Sequence, residues 1–570
     1  MRYLALACDY DGTLAHNGQV DETTLAALER LRDSGRRLIL VTGRQIDDLL
    51  HVFPYADLFD RIVAENGALL YQNATQEEKL LGDRPSAEFI KALRERGVDP
   101  FSVGKVIVAT WHPHETTVLE VIRELGLELQ IIFNKGAVMV LPSGLNKATG
   151  LGAALSELGL SPHNTVGVGD AENDHAFLDL CECSVGVANA LPVLKERVDF
   201  VTNGSRGAGV TELIDKLVAS DLAELEPQLT RHQILLGTCQ DSELVNLKPY
   251  GVNLLVAGTS GSGKSTLATG ILERLSERGY QFCIIDPEGD YEAFEGAVIL
   301  GDHQREPSVA EALELLENPS QNAVINLIGV SLENRPSFFE NLLPHLQQLR
   351  AKTGRPHWIV VDEAHHLLPS SWDPAVITLP QELEGIILIT VHPDRVSAAA
   401  LSLIDTLIAV GEDPEQTVKS FCKNLVQQPP SFDPPTLEPG EAVAWFRRTA
   451  AEPFQFRIAL PRIAHRRHLR HYAKGEMGAD KSFYFRGSEG KLKLRAQNLV
   501  LFNQLAEGVD DATWLYHLRR GDYSRWFREA IKDEDLAAEA AQVEQSPNNS
   551  PEQSRALIRD VIEQRYTAPS

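Results

Sequence analysis

The chain has 570 residues and a formal net charge of −26 at neutral pH. That length holds about three domains, each large enough to bury a core. The acidity excludes a uniformly basic nucleic-acid binder while leaving room for a local basic channel. No apolar run approaches the roughly 18 residues that cross a membrane, so no membrane role is expected. The apolar opening from Tyr3 to Cys8 is too short for a secretion leader and reads as a buried strand. Six cysteines (Cys8, Cys181, Cys183, Cys239, Cys283 and Cys422) are scattered, and Cys181-x-Cys183 has no second pair nearby. Buried thiols in a reducing cytoplasm are expected rather than zinc.

Arg2 to Cys8 ends in Asp9-Tyr10-Asp11-Gly12-Thr13-Leu14. Two carboxylates at the carboxyl end of a strand can face one crevice, one as nucleophile and the other handling protons. Asp and Gly also favour turns, so the pair alone decides nothing. Three further segments decide it. Arg37 to Val41 ends in Thr42-Gly43-Arg44, a hydroxyl at a second strand end. Lys147 closes Pro142-Ser143-Gly144-Leu145-Asn146-Lys147 just ahead of a helix. Thr165 to Val168 leads into Gly169-Asp170-Ala171-Glu172-Asn173-Asp174, a third strand end with acidic groups. Together these resemble the four motifs of the haloacid dehalogenase superfamily of phosphohydrolases. Val185-Gly186-Val187-Ala188-Asn189-Ala190 is similar to its Cof-like, sugar-phosphatase branch.

The resemblance implies that Asp9 attacks phosphorus to form an aspartyl-phosphate. By the same resemblance, Asp11 protonates the leaving group and then activates water, Thr42 hydrogen-bonds the transferring phosphoryl, and Lys147 offsets its charge. It implies Mg²⁺ held by Asp9, Asp170 and the backbone carbonyl of Asp11, with Asp174 completing the acidic cluster. The chemistry asks for such a set, because an anionic nucleophile meets a phosphate only where a metal and a cation neutralise the repulsion. The bland alternative is a degenerate fold kept as a scaffold.

About 100 residues separate the second and third motifs, too many for a loop. Residues 84–96 and Glu115 to Leu125 have helical patterns, and Lys105 to Thr110, Leu127 to Phe133 and Ala137 to Leu141 have strand patterns. That reads as an inserted α/β cap, which in Cof-like relatives covers the site and selects the substrate. Trp111, His112 and His114 fall either at its working face or in an exposed loop. Asp221 to Pro227 is acidic and proline-ended, and reads as a linker.

Val252 to Ala257 then precedes Gly258-Thr259-Ser260-Gly261-Ser262-Gly263-Lys264-Ser265-Thr266 and a helical pattern from Leu267 to Arg278. Strand, glycine-rich turn, Lys-Ser and helix is the setting of a P-loop. Its amides turn inward around a triphosphate at the positive end of a helix. Lys264 is placed to reach the β- and γ-phosphates, and the Ser265 hydroxyl to ligate Mg²⁺. Gln281 to Ile285 ends in Asp286-Pro287-Glu288-Gly289-Asp290-Tyr291, and His357 to Val361 in Asp362-Glu363-Ala364-His365-His366. The second is a Walker B pattern, with Asp362 for the Mg²⁺ shell and Glu363 to polarise water. Gly385 to Ile389 leads into Thr390-Val391-His392-Pro393-Asp394-Arg395. This order of motifs resembles the HerA/FtsK-type branch of P-loop ATPases, which includes ring-forming DNA translocases. Two departures weaken DNA pumping: Val391 and His392 stand where the branch carries Gln-Arg, and there is no obvious room before Gly258 for the HerA β-barrel. Arg395 reads equally as a sensor acting on a neighbouring subunit or as a surface ion pair.

Gly440 to Arg448 and Phe454 to Ile458 read as closing strands. Arg462 to Lys474 is a basic run, either a phosphate or partner contact or a linker docked on the chain's acidic surface. The remainder is aromatic-rich through Trp514, Tyr516, Tyr523, Trp526 and Phe527. It resembles a small domain of unknown function, and its aromatics suit either an ordinary core or base stacking. Ser550-Pro551-Glu552-Gln553 has the form of a capping box opening a tail helix that docks on another subunit.

The expected architecture is α/β and multidomain. It comprises a Rossmann-like phosphohydrolase domain over residues 1–220 with a cap at about 80–145, a RecA-like P-loop ATPase domain over 230–460, a basic linker over 461–480, and a small α-rich module with a tail helix over 481–570. The expected function is Mg²⁺-dependent hydrolysis of a small phosphomonoester, a sugar phosphate or phosphoglycolate-like compound. An ATP-hydrolysing domain regulates or assembles that activity in a cytoplasmic homo-oligomer, for which the branch suggests a hexamer. One alternative is an oligomeric DNA translocase of a processing or defence system with an accessory nucleotide or DNA-end phosphatase. Another is a non-catalytic scaffold that senses phosphorylated ligands.

Overall fold

The structure is a computed structural model that describes residues 1–259, 261–292, 294–370, 384–432, 436–449, 452–461, 482–487, 492, 494–531, 533–546 and 550–566. The expected linker 461–480 and its basic run fall outside the described residues beyond Pro461, as does Ser260 of the P-loop. Among the described residues no helix is long and apolar enough to cross a membrane.

The N-terminal domain is built on strands β1 (Ala5–Asp9), β2 (Arg37–Val41), β3 (Arg61–Ala64), β4 (Leu69–Gln72) and β5 (Glu77–Leu80). A cap follows with β6 (Phe101–Val103), β7 (Val108–Trp111), β8 (Leu129–Asn134) and β9 (Ala137–Pro142). The chain then returns through β10 (Thr165–Gly169), β11 (Cys183–Gly186) and β12 (Phe200–Val201). The main sheet runs β12-β11-β10-β1-β2-β3-β4-β5. It is parallel from β12 to β3, with β4 and β5 antiparallel at one edge. Parallel strands are covered on both faces, which is why β1 and β2 are continuous apolar runs with buried side chains. Helix Glu22–Asp33 starts at Asp21, whose side chain accepts from the Thr24 amide, and turns Ala27, Leu28 and Leu31 inward.

In the cap, helices Ala87–Glu95 and Glu115–Leu125 cover a four-stranded antiparallel sheet of order β6-β7-β9-β8. The strand expected from Lys105 begins only at Val108, because the amides of Lys105, Val106 and Ile107 all donate to the buried Glu65 carboxylate of the main domain. Asp221 to Pro227, read as a linker, belongs instead to the N-terminal domain. Leu222, Leu225 and Leu229 bury in its core, and Asp221 pairs with Arg36.

The central domain holds β13 (Ile234–Thr238), β14 (Leu244–Leu247), β15 (Leu254–Gly258), β16 (Phe282–Asp286), β17 (Val298–Leu300) and β18 (Ala323–Asn326). It continues with β19 (Trp358–Val361), β20 (Ile386–Thr390), β21 (Thr406–Val410), β22 (Glu441–Phe446) and β23 (Phe454–Ile458). Its sheet runs β14-β13-β23-β22-β21-β15-β20-β19-β16-β18-β17. The portion from β21 to β17 is parallel, and β22, β23, β13 and β14 add an antiparallel extension. The stretch before the P-loop thus contributes a hairpin to this sheet. Apolar cores lie on both faces.

The N-terminal and central sheets meet at the amino ends of their strands. Arg2, His163, Asn164 and Glu182 sit just ahead of β1, β10 and β11, while Tyr280, Gln281 and His357 sit just ahead of β16 and β19. Across this seam the Tyr280 hydroxyl donates to Glu182 at 2.7 Å, and His163 Nε2 lies 2.6 Å from the Arg278 carbonyl. Arg355 donates to the Gly159 carbonyl at 2.7 Å, and His357 Nε2 is 3.2 Å from Asn164 Oδ1.

The C-terminal module pairs β24 (Phe483–Phe485) with β25 (Leu494–Ala496) against helices that include Leu499–Gly508, Asp511–Leu518, Glu534–Gln545 and Pro551–Tyr566. Trp514, Tyr523 and Phe527 are fully buried core residues, which removes them from base stacking. The capping box at Ser550 and Gln553 forms in both directions. The tail helix it opens packs on this module: Ile558 and Ile562 are buried, and Trp514 Nε1 donates to Ser554.

Candidate active sites

At the carboxyl ends of β1, β2 and β10 the structure brings together Asp9, Thr42, Asp170 and Asp174, with Lys147 entering from the start of helix Lys147–Glu157. Asn146 caps that helix, and Thr149 returns the bond in a capping box, which fixes where the Lys147 side chain departs. Gly67 lets this segment approach: at φ +103°, a Cβ there would lie 1.8 Å from the Asn146 carbonyl oxygen. The buried Lys147 ammonium donates to Asp9 Oδ1 and Asp174 Oδ1, both at 2.6 Å. Burial opposes its charge, but the carboxylates of Asp174 and Asp9 outweigh that and raise its pKa. Burial raises the Asp9 pKa, Asp174 adds to the effect, and Lys147 opposes it.

The other oxygen of Asp174 accepts from the Asp170 and Ala171 amides at 2.8 and 2.9 Å, so both its oxygens are engaged in holding the loop. Asp170 Oδ2 receives Lys135 at 2.8 Å, whereas its buried Oδ1 makes no hydrogen bond among the described residues. One carboxylate oxygen from each of Asp9, Asp170 and Asp174 lies within 4.8 Å of the others. An all-oxygen donor set with one orphaned buried oxygen fits a hard divalent cation such as Mg²⁺. Thr42 is buried, and its Oγ1 accepts the Arg44 amide at 3.1 Å. Arg44 grips both oxygens of Asp11, at 2.6 and 2.8 Å, and also reaches Asp48.

Arg44, Glu65 and Lys135 are components that sequence reasoning did not assign. Lys135 occupies the turn between two strand patterns, Asn134-Lys135-Gly136, and a turn's sequence does not say where its tip points. Trp111, His112 and His114 lie on the cap: Trp111 is exposed, His112 pairs with Glu115, and His114 bonds the Asp99 carbonyl.

The second constellation lies at the carboxyl ends of β15, β16, β19 and β20. Gly258 packs against β21, where a Cβ would fall 1.9 Å from the Val410 carbonyl oxygen. Gly261 and Gly263 turn the loop at φ +77° and +99°. Helix Lys264–Glu277 then begins, with Ser265 and Thr266 in its first turn. Lys264 Nζ lies over the loop, donating to the carbonyls of Gly258 and Thr259 at 3.0 and 2.8 Å. Ser262 Oγ is buried without a hydrogen bond among the described residues. Amides of a helix's first turn lack intrahelical acceptors and make an anion cradle.

Opposite stand Asp286, Asp362 and Glu363. Asp286 accepts from the amides of Gly289 and Tyr291, each at 2.8 Å, yet burial and Asp290 push its pKa up to about 7. Burial, Asp290 and Asp286 likewise raise Asp362 well above the carboxylate range. Glu363 sits at φ +41°, a strained backbone for a residue with a side chain and one that clusters at functional sites. His365 Nδ1 lies 3.0 Å from Thr390 Oγ1 and 3.4 Å from Glu363 Oε2, and its ring meets His392 edge-on at 5.3 Å. Burial and the neighbouring His366 hold His365 down to about 4.

Residues 6–109 and 104–214 match the family described as haloacid dehalogenase-like hydrolase, and residues 251–353 match the central domain of helicase HerA. The phosphoglycolate phosphatase of Haloarcula marismortui is 32% identical over 218 residues, 37% of this chain and 95% of that protein. That of Methanothermobacter thermautotrophicus is 29% identical over 225 residues, 38% of this chain and 98% of the relative. A solved haloacid dehalogenase-like hydrolase from Bacteroides thetaiotaomicron is 18% identical, with a TM-score of 0.33, covering 38% of this chain and 99% of its own.

Proposed function

Because its N-terminal domain belongs to the haloacid dehalogenase-like hydrolases and its central domain carries a HerA-type match, we propose that this chain is a Mg²⁺-dependent phosphomonoesterase joined to an ATP-hydrolysing domain that regulates or assembles it. The proposed substrate is a small phosphoglycolate-like or sugar-phosphate ester. The carrying observation is the Lys147 ammonium bridging Asp9 and Asp174 at 2.6 Å beside Asp170, a nucleophile with its charge partner already in place.

Asp9 attacks phosphorus through a carboxylate oxygen, the bond to the leaving oxygen breaks, and an aspartyl-phosphate results. Asp11 protonates the leaving oxygen and then takes a proton from the hydrolytic water. Since Arg44 occupies both Asp11 oxygens, that pair opens during turnover. Thr42 donates its hydroxyl proton to the transferring phosphoryl, and Lys147 balances its charge. Asp9, Asp170 and the Asp11 carbonyl would hold Mg²⁺, which supplies electrostatic stabilisation of the phosphoryl oxygens.

In the central domain Lys264, Ser265 and the loop amides bind the triphosphate, Asp362 and Ser265 would hold its Mg²⁺, and Glu363 polarises the attacking water. The HerA match supports a second reading, a nucleic-acid motor with an accessory phosphatase. The deciding experiment is a phosphomonoester screen on the full chain with Mg²⁺, run with and without ATP and with and without DNA. Phosphate release from small esters sustains the first reading. No release, with ATPase activity stimulated by DNA, replaces it with the second.

A further inference from the structure

We propose that Lys135, at the tip of the cap hairpin β8–β9, recognises a negative charge on the leaving alcohol of the substrate, so that the preferred ester carries a carboxylate next to the phosphate-bearing carbon. This deepens the phosphatase reading and rests on it.

The hairpin crosses the mouth of the site. Midway along it, Met139 Sδ would lie 3.6 Å from a Cβ placed on Gly43 of the Thr42 loop. At the tip, Lys135 Nζ would lie 3.0 Å from a Cβ on Gly12, beside Asp170. The cap therefore reaches the loops that follow both β1 and β2, the same loops that carry Asp11 and Thr42. Glu65 pins the cap there by accepting three of its amides at 2.8 to 3.0 Å.

Four carboxylates, Asp9, Asp11, Asp170 and Asp174, face three cations in this crevice. Two of the cations each hold two carboxylates: Lys147 bridges Asp9 and Asp174, and Arg44 spans Asp11 and Asp48. Lys135 is different. An ammonium has three donors, and among the described residues this one uses a single donor, to Asp170 Oδ2 at 2.8 Å. Its side chain is 46% exposed while Asp170 is 3% exposed, so the ammonium is open to a ligand in a way that the Asp170 carboxylate is not. A group needed only to neutralise Asp170 has no reason to be delivered by the cap. A carboxylate one carbon from the ester oxygen places its charge within a lysine's reach, whereas a neutral alcohol leaves those donors to water.

The experiment compares the full chain with Lys135→Ala, Lys135→Arg and Lys135→Glu on 2-phosphoglycolate and on 2-hydroxyethyl phosphate, which keeps the length and lacks the carboxylate. The readout is the ratio of kcat/KM between the two esters, whatever happens to the absolute rates. Loss of one charge-assisted contact lowers that ratio about 10- to 100-fold in Lys135→Ala. Lys135→Arg restores most of it, and Lys135→Glu lowers it further. A ratio in Lys135→Ala within about twofold of the unsubstituted chain overturns the proposal, because a loss common to both esters assigns Lys135 to Asp170 alone. Calorimetric binding to the Asp9→Asn chain separates this from failure of the phosphatase reading. If no ester is hydrolysed, that reading falls. Lys135→Ala in the Asp9→Asn background must still weaken 2-phosphoglycolate more than inorganic phosphate, and equal weakening overturns the role of Lys135.

Discussion

His163 lies flat against Tyr280, ring centroids 3.6 Å apart and planes inclined by 16°, one residue from each of the two enzyme domains. Under this stack Glu182 accepts from Tyr280, Arg2 and His163 and is 2% exposed. The pair is thus part of a buried polar seam rather than an apolar one, and such seams are costly when one partner is removed.

A pH dependence follows from Glu182. Burial opposes its charge, but the His163 hydrogen bond and the nearby cations win and hold its pKa well below the ordinary 4.5. A depressed carboxylate contributes stability that is present above the unfolded value and lost as pH falls through the folded one. The seam should therefore loosen below about pH 4.5. Hydrogen exchange at the amides of Tyr280 to Cys283 should speed up across that window. Glu182→Gln should cost about 3 kcal/mol at neutral pH and flatten the acid-side change.

Lys147 is the sole cation bonded to Asp9 and Asp174 among the described residues. Lys147→Met leaves two buried carboxylates facing each other, for an expected loss of about 3–5 kcal/mol in denaturant unfolding of the N-terminal domain. The loss should shrink in acid, where protonation relieves the repulsion. A loss below about 1 kcal/mol at neutral pH would contradict the buried triad.

Gly67→Ala tests how Lys147 is positioned without touching a charged group. Its Cβ would collide with the Asn146 carbonyl at 1.8 Å on a backbone of φ +103°. Overpacking and strain together predict about 2–4 kcal/mol of destabilisation. Phosphate release should fall at least tenfold, roughly a 1.4 kcal/mol effect on the barrier, with ATP hydrolysis unchanged.

Asp9→Asn should remove phosphate release by about a thousandfold or more and leave ATP hydrolysis intact. Glu363→Gln should do the reverse while preserving ATP binding. Steady-state assays of both activities on both variants read the four outcomes, and a variant that abolishes both activities would argue against two separate centres.

Much of each site was legible because its groups sit at strand ends in the chain: Asp9 closing β1, Thr42 after β2, Asp170 after β10 and Asp362 after β19. In parallel sheets such positions converge at one edge whatever the rest does. Lys135 and Glu65 were not legible in this way, because their roles depend on how the cap docks on the main domain. The buried turn after Asp221 was hidden by its acidic composition, although Leu222, Leu225 and Leu229 recur at the spacing of one face. The seam around Glu182 left no local trace, since its members come from five separate segments. The tail helix was legible at its start, because a capping box fixes where a helix begins, while its packing on Trp514 depends on contacts distant in the chain.

The strand-start junction has one more consequence. Each candidate site stands at the far end of its strands from the seam, a full strand of roughly 15 Å away on its own side. Joining the domains in one polypeptide fixes equal copy number and a shared lifetime for the two sites. A signal carried across the seam would enter the strands whose starts form it, β1, β10 and β11 on one side and β16 and β19 on the other.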